Sequence, residues 1–145
     1  MRHLFHTLCV LLALGVVLGV GGTARADKPV APDAVAGAEL VDAARVVELA
    51  QSRSDLVIVD ARRGEEFAKG HIEGAVNLLD ADMTEARLRA VQPDAAGPIV
   101  FYCNGPRCLR SSNAAAKAVS WGYTQVYWFR GGWSAWVEAR YPMSF

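Results

Sequence analysis

Two cysteines lie five positions apart in a short segment rich in turn-forming and basic residues. The segment runs from Cys103 to Arg110 and reads Cys-Asn-Gly-Pro-Arg-Cys-Leu-Arg. A cysteine becomes a nucleophile as the thiolate, which is favoured by nearby cations, by a helix N-terminus and by inward-facing amides. Gly105 and Pro106 permit a tight turn, while Arg107 and Arg110 supply fixed positive charge. The pattern therefore predicts an anion-binding loop around a reactive thiolate at Cys103.

The flanking sequence places this loop between a strand and a helix. Residues 98–102 form an apolar run that predicts a buried strand, and the Ala-rich residues 111–120 predict a helix that begins near Ser111. In parallel sheets, ligands bind beyond the carboxyl ends of the strands, where helix N-termini present unpaired amides. Cys103 occupies such a position. The alternative is that Cys103 is a small buried hydrophobic residue and that the arginines are ordinary surface charges.

The rest of the chain alternates between helical and strand patterns. This alternation predicts an α/β domain of three layers, with a mainly parallel central sheet and helices on both faces. Asp42 is a candidate N-cap for the first helix, and a Gly131-Gly132 turn precedes a short final helix that carries tryptophan. The predicted helices cover about 43–51, 65–69, 83–91 and 111–120, and the predicted strands cover 56–59, 75–78, 98–102 and 125–129.

The first 26 residues have the features of a cleavable export signal. Arg2 provides the positive start, residues 8–20 are apolar, and Ala24-Arg25-Ala26 is a small-x-small cleavage site. We expect cleavage after Ala26, which removes Cys9, leaves no stable membrane insertion and places the protein in the periplasm or outside the cell. The alternative, an uncleaved anchor, is disfavoured because the apolar run is short for a membrane span.

Removal of the signal would leave 119 residues, enough for a single domain with its own core. We divide them into an extended leader over residues 27–37 and a domain over residues 38–145. The signal holds two of the fifteen basic residues and none of the fifteen acidic ones, so the remainder has a formal charge of −2. That weak charge argues against binding to nucleic acid.

Two of the three cysteines, Cys103 and Cys108, would remain after cleavage. In an oxidising compartment they could form a disulfide, act as a reactive pair, or do each in turn. We predict that they can close a disulfide that blocks the reactive thiolate until a reductant opens it. The alternative is that Cys108 only packs against the loop or lines its pocket. Their number excludes a four-cysteine metal site.

Several strings on either side of the loop resemble those of the rhodanese family. Val59-Asp60-Ala61-Arg62, Glu65-Glu66-Phe67 and Gly70-His71-Ile72-Glu73-Gly74-Ala75-Val76-Asn77-Leu78 are similar to its N-terminal signature. The sequence from Gly131-Gly132-Trp133 to Tyr141-Pro142 is similar to its C-terminal pattern. The resemblance spans about residues 37–142 and implies the rhodanese-like three-layer fold.

The resemblance also implies a chemistry. A sulfane sulfur would pass from a small anionic donor such as thiosulfate to Cys103, and from the resulting persulfide to a thiol or cyanide acceptor, without a cofactor or a metal. A protein sulfur or redox partner could serve the same site. The substrate-binding residues would be Asn104, Gly105, Pro106, Arg107, Cys108, Leu109 and Arg110, and the supporting residues Asp60, Arg62, His71 and Ser111.

The supporting residues have particular expected roles. We expect Asp60 and Arg62 to hydrogen-bond loop backbone near the site without acting as acid or base, and His71 to shape the fold. The aromatic residues near the C-terminus are expected to fill the core and cap the ends of elements. They are Trp121, Tyr123, Tyr127, Trp128, Trp133 and Trp136.

One departure from the family pattern leaves two other functions open. Six residues separate Cys103 from Arg110-Ser111, whereas the usual rhodanese loop has four. Phosphatases and arsenate reductases with this fold also use longer loops, so an oxyanion-handling enzyme is one alternative, although the loop contains no aspartic acid to serve as an acid. The other alternative is a sulfur-carrier or redox module that does not turn over small donors.

Overall fold

A computed structural model describes residues 30–145, and its centre is a parallel sheet of five strands. The predicted signal, its cleavage site and residues 27–29 lie outside the described residues. The sheet has the strand order β1-β6-β5-β2-β4, and β3 and β7 form a separate antiparallel pair. The strands are β1 (Ala38–Leu40), β2 (Val57–Asp60), β3 (His71–Ile72), β4 (Val76–Asn77), β5 (Pro98–Tyr102), β6 (Gln125–Phe129) and β7 (Met143–Ser144).

Five helices connect these strands. Asp42 caps the first, since its side chain accepts a hydrogen bond from the backbone N–H of Arg45 at 2.8 Å, as its position had predicted. Thr84 caps the third in the same way. The helices are α1 (Ala43–Ser52), α2 (Gly64–Phe67), α3 (Glu85–Val91), α4 (Arg110–Ser120) and α5 (Gly132–Glu138).

The α/β fold class, with a parallel sheet and helices on both faces, is confirmed. On one face, α4 packs its alanines against Ile99 and Phe101 of β5. On the opposite face, Val46 and Leu49 of α1 pack with Val100 and the residues around it. Because alternate residues of a strand point to opposite faces, a strand buried on both sides reads as a continuous apolar run, which is why β5 was predicted with the correct bounds.

Three short strands were missed from the sequence. β1, β3 and β7 have two or three residues each, so none is long enough to show a periodic pattern. β1 pairs with β6 at the edge of the sheet, and β3 pairs with β7. Their existence depends on partners that are distant in sequence.

The strand order positions the functional loop. The chain passes from β2 to β4 on one side, and then β5 returns to the other side of β2 and leads on to β6. The segments that leave β2 and β5 therefore diverge and open a crevice at the carboxyl edge of the sheet, which is where ligands bind in open parallel sheets. Cys103 follows β5 at this point. Among the described residues, no helix combines the length and apolarity needed to cross a membrane.

Candidate active site

The loop from Cys103 to Leu109 is held by hydrogen bonds from two directions. Within it, the N–H of Cys108 donates to the carbonyl of Gly105 at 2.9 Å, which closes a turn. From outside, the first turn of α5 donates through Trp133 N–H to the Cys103 carbonyl at 2.8 Å and through Ser134 N–H to the carbonyl of Asn104 at 3.1 Å. These bonds fix the path of the loop before any ligand binds.

Gly132 is required for this close approach. Its φ of +57° lies in the left-handed region, and a Cβ there would overlap the carbonyl oxygen of Cys103. The Gly131-Gly132 pair was expected to form a turn. Its second glycine also lets the start of α5 touch the loop.

The leader also contacts the loop. The N–H of Ala31 donates to the Pro106 carbonyl at 2.9 Å, and the guanidinium of Arg130 holds the carbonyls of Pro32 and Ala31 at 2.9 and 3.0 Å. Ala31 itself is buried in the core. The part of the leader that the structure describes thus lies on the domain and fixes one side of the turn.

The thiol of Cys103 is buried at the N-terminus of α4. Its Sγ lies 3.0 Å from Ser111 Oγ and 3.3 Å from the carbonyl oxygen of Cys108. The indole N–H of Trp128 donates to the same Ser111 oxygen at 3.0 Å. Because the indole can only donate, the Ser111 hydroxyl is free to direct its own hydrogen toward the sulfur. Trp128 was expected to fill the core or cap an element. The sequence has no local signal for its contact with Ser111, because Trp128 lies on β6, a different strand from the one that precedes the loop.

The two thiols interact, and their pKa values move in opposite directions. The interaction with the Cys103 thiol, followed by those with the amides of Asn104 and Arg110, outweighs partial burial and lowers the pKa of Cys108 to about 6. The Cys108 anion and burial raise the pKa of Cys103, which the bonds from Ser111 offset only in part. A second ionisation next to the first is disfavoured because the charges are alike.

This arrangement corrects one detail of the sequence prediction. The loop amides were expected to stabilise a thiolate at Cys103, but those of Asn104 and Arg110 lower the pKa of Cys108 instead. The reason is the turn at Gly105, which carries Cys108 back over the first cysteine. In the resting pair the charge therefore lies on Cys108, and Cys103 holds the proton. The start of α4 does act on Cys103, because the Ser111 amide and hydroxyl oppose the rise of its pKa.

An open cavity of about 730 Å³ lies over the loop. Cys108 is half-buried on its wall, whereas Cys103 lies beneath the surface with 1% of its area exposed. Arg107 is exposed and Arg110 half-buried on the same wall, so both contribute positive charge to it. The loop residues predicted to bind substrate do line one cavity: Asn104, Gly105, Pro106, Arg107, Cys108, Leu109 and Arg110, together with Ser134.

Glu66 of α2 stabilises the loop by hydrogen bonds from outside it, a role that the sequence analysis missed. Its carboxylate accepts hydrogen bonds from the side chains of Asn104 at 2.8 Å and Arg110 at 2.9 Å. Partial burial opposes ionisation of Glu66, but these donors outweigh it and lower its pKa. The only sequence signal was its place in the Glu65-Glu66-Phe67 string, which does not say which glutamate faces the loop.

Asp60 and Arg62 lie at the carboxyl end of β2 and do not contact the loop as predicted. They form a buried ion pair with an N–O distance of 2.6 Å. The Tyr102 hydroxyl donates to Asp60, and Arg62 donates to the carbonyl of Gly70 at 2.7 Å. The prediction was wrong about the partner, because Arg62 reaches the segment before β3 instead of the loop. The prediction was correct that Arg62 donates a hydrogen bond to a backbone carbonyl, which is that of Gly70.

His71 lies on β3, where its contacts are those of a structural residue. Its ring stacks on Phe67 with centroids 3.6 Å apart, and Nδ1 lies 3.0 Å from the Phe67 carbonyl. The backbone of His71 pairs with Ser144 of β7. These contacts agree with the expected role in shaping the fold.

The structure defines the class as α/β proteins with a parallel sheet and a cysteine between a central strand and the following helix. Comparisons with known proteins identify the family. Residues 42–139 match the Rhodanese-like domain family. The chain belongs to this family.

Curated relatives agree with this assignment. The chain is 36% identical over 95 residues to the thiosulfate sulfurtransferase GlpE of Shewanella oneidensis, a match that covers 66% of this chain and 88% of GlpE. It is 29% identical over 93 residues to the uncharacterized protein YibN of Escherichia coli strain K12. That match covers 63% of each protein, so the chain aligns with less than two thirds of YibN.

Among solved structures, the chain resembles RPA3614 of Rhodopseudomonas palustris. That protein is described as being of unknown function and a possible tyrosine phosphatase. The two share 31% sequence identity with a TM-score of 0.62, over 74% of this chain and 85% of RPA3614.

Proposed function

We propose that this protein is a sulfurtransferase that carries sulfane sulfur as a persulfide on Cys103. The observation that carries the proposal is the contact of the Cys103 thiol with Ser111 at the start of α4, inside a loop whose amides and arginines favour anions. Its family membership and its similarity to a thiosulfate sulfurtransferase support the same chemistry.

The first half of the cycle loads the sulfur. The Cys108 thiolate accepts the proton of Cys103, and the Cys103 thiolate attacks the outer sulfur of a donor. With thiosulfate, the S–S bond of the donor breaks, its electron pair leaves with sulfite, and the outer sulfur stays on Cys103 as a persulfide. Arg107 and Arg110 on the cavity wall neutralise the oxygen end of the donor.

The second half unloads the sulfur to an acceptor that enters the same cavity. A thiol or cyanide attacks the outer sulfur, and the electron pair of the persulfide bond returns to Cys103. The reaction uses no group beyond the chain and its two substrates. A protein thiol is also an acceptor of suitable chemistry, because the cavity is open to solvent.

Oxyanion chemistry of the phosphatase or arsenate reductase type is the second candidate, favoured by the longer loop, and the likeness to RPA3614 favours the phosphatase reaction. Such a reaction needs a group that protonates the leaving oxygen. The residues that line the cavity include no carboxylic acid, and Glu66 beside the loop is engaged by Asn104 and Arg110. Sulfur transfer, whose sulfite leaving group needs no proton, is therefore the function better supported by the described residues.

Two assays on the same preparation separate these functions. We expect stoichiometric sulfite and thiocyanate from thiosulfate with excess cyanide, and no phosphate from a phosphotyrosine analogue. Phosphate release that depends on Cys103, without thiocyanate, would replace sulfur transfer with oxyanion hydrolysis.

We further propose that the protein acts outside the cytoplasm, on the basis of the N-terminal pattern. Protein recovered from an extracytoplasmic fraction should begin at Asp27. Recovery there of protein that still begins at Met1 would contradict cleavage.

A further inference from the structure

Cys108 is a second sulfur that the transfer cycle uses only as a proton acceptor. The turn from Gly105 to Cys108 folds Cys108 back over the first cysteine, so that its carbonyl oxygen lies 3.3 Å from Cys103 Sγ and the two thiols interact. Side chains that face each other across a short contact are what disulfide formation requires. Both cysteines are free thiols in the structure. The pair is therefore placed to react internally as well as with a substrate.

We infer that Cys108 discharges the Cys103 persulfide by forming a disulfide with Cys103 and releasing hydrosulfide, an inference that rests on the proposed persulfide. Cys108 passes the proton that it took in the loading step to the outer sulfur, and its thiolate attacks Cys103 Sγ. A new S–S bond forms, and the bond to the outer sulfur breaks with its electron pair on the leaving hydrosulfide. The sulfane sulfur is reduced to sulfide, and the two cysteines are oxidised. The persulfide hydrogen leaves with the sulfide, so atoms and charge balance.

Two features of the site favour this step over a long-lived persulfide. The nucleophile is held beside the sulfur that it attacks, so no second molecule has to be ordered. The amides of Asn104 and Arg110 and the positive charge of Arg110 also favour the anionic form of this nucleophile. Exchange is faster when the leaving group is the weaker base, and hydrosulfide is a weaker base than an alkyl thiolate.

The disulfide product defines the class of partner that completes the cycle. A dithiol reductant, small or protein-borne, would have to reopen it, and the cavity leads such a reductant to Cys108 because only this sulfur lies on its wall. Attack there forms a mixed disulfide on Cys108 and returns the electron pair to the buried Cys103. The second thiol of the reductant then releases Cys108. The inferred activity is therefore dithiol-dependent release of sulfide from a sulfane donor.

The test is a single-turnover reaction of the reduced protein with thiosulfate, without acceptor, oxygen or reductant, followed to completion. We expect the wild type to release equal amounts of sulfite and sulfide, and non-reduced peptide mapping to show Cys103 joined to Cys108. Cys108→Ser and Cys108→Ala should instead release sulfite alone and gain the mass of one sulfur atom, which added cyanide then removes as thiocyanate. A dithiol added to the wild type should make sulfide release catalytic.

The possible failures are distinguishable. A wild type that releases sulfite but keeps the added sulfur on either cysteine, without sulfide, overturns the inference and leaves the sulfur transfer intact. Sulfide release by the Cys108 variants at the wild-type level overturns it as well, since the second thiol is then unnecessary. No sulfite and no mass gain in any of these proteins refutes the proposed function itself.

Discussion

Two buried polar clusters lie at the carboxyl ends of adjacent strands, and they differ in what they leave available. After β2, Asp60 and Arg62 bond to each other, to Tyr102 and to the Gly70 carbonyl. After β5, the thiols of Cys103 and Cys108 share one charge beside an open cavity. The first cluster is closed and neutral as a whole, while the second presents an anionic sulfur to solvent. Both clusters are buried, so burial alone does not distinguish a reactive group. The thiol pair differs in the interaction between its two ionisable groups and in its access to an open cavity.

The largest effect should come from the reactive cluster. Cys103→Ser should lower thiosulfate-to-cyanide transfer by more than about a thousandfold, because a hydroxyl is not ionised at neutral pH and cannot hold the sulfur. The thermal unfolding midpoint should change little, since oxygen can keep the contact with Ser111. Cys108→Ser should be slower than wild type but should still transfer. Loss of transfer only in the Cys108 variant would make Cys108 the nucleophile.

The closed cluster should respond in stability instead. Asp60→Asn leaves Arg62 as an uncompensated buried cation, so we expect the free energy of unfolding to fall by about 3–5 kcal/mol. Urea denaturation measures the loss. The folded fraction of this variant should keep most of its sulfur transfer. A stable Asp60→Asn protein with no activity would place Asp60 in the reaction and erase the contrast between the two clusters.

Arg110 lines the cavity beside the reactive cluster and also forms an ion pair with Glu66. Arg110→Ala should weaken the binding of an anionic donor by roughly 1–3 kcal/mol, the size of a charge-assisted contact, which raises KM about 5- to 150-fold. Steady-state kinetics with thiosulfate check this. Arg107→Ala is the matched control, with a smaller effect expected because Arg107 is exposed. An equal or larger effect at Arg107 would mean that the donor binds at the outer wall.

The shared charge predicts how the reactive cluster depends on pH. With the pKa of Cys108 lowered to about 6, its thiolate is present above that pH and is lost as the pH falls through it. Alkylation of Cys108 by iodoacetamide, followed by peptide mapping, should therefore fall about tenfold per pH unit below 6 and level off above it. In Cys103→Ala the midpoint should rise, because the interaction with the Cys103 thiol is the largest contribution that lowers the pKa of Cys108. A midpoint near the ordinary thiol value of about 8.5 in both proteins would contradict the shared charge.

The smallest effect should come from Trp128, which reaches the thiol pair only through Ser111. Trp128→Phe removes one hydrogen bond worth about 1 kcal/mol and should raise the alkylation midpoint by less than about one pH unit. Trp136→Phe is the matched control, since its indole donates to the Pro142 carbonyl at 2.9 Å away from the thiols. Both variants should be less stable, but only the first should shift the midpoint. Equal midpoints would limit Trp128 to packing.

Local patterns were sufficient for the main elements and for the position of the loop. The apolar runs predicted β5 and β6 with their observed bounds, and Asp42 predicted the start of α1. Each of these features depends on residues that are only a few positions apart in the chain, so a single sequence is enough to predict it. The loop between Cys103 and Arg110 was found for the same reason, since its turn formers and charges are consecutive.

Only the tertiary structure decided which groups meet. Glu66 contacts the loop across 44 positions, Trp128 reaches Ser111 across 17, and Arg62 turns to Gly70 instead of to the loop. Even the order of the two thiols, with Cys103 beneath and Cys108 on the cavity wall, depends on how the turn at Gly105 packs against the start of α5. The types and spacing of the residues determine what chemistry is available. The burial and the shared proton that select the resting thiolate come from contacts between segments distant in sequence, which no local pattern encodes.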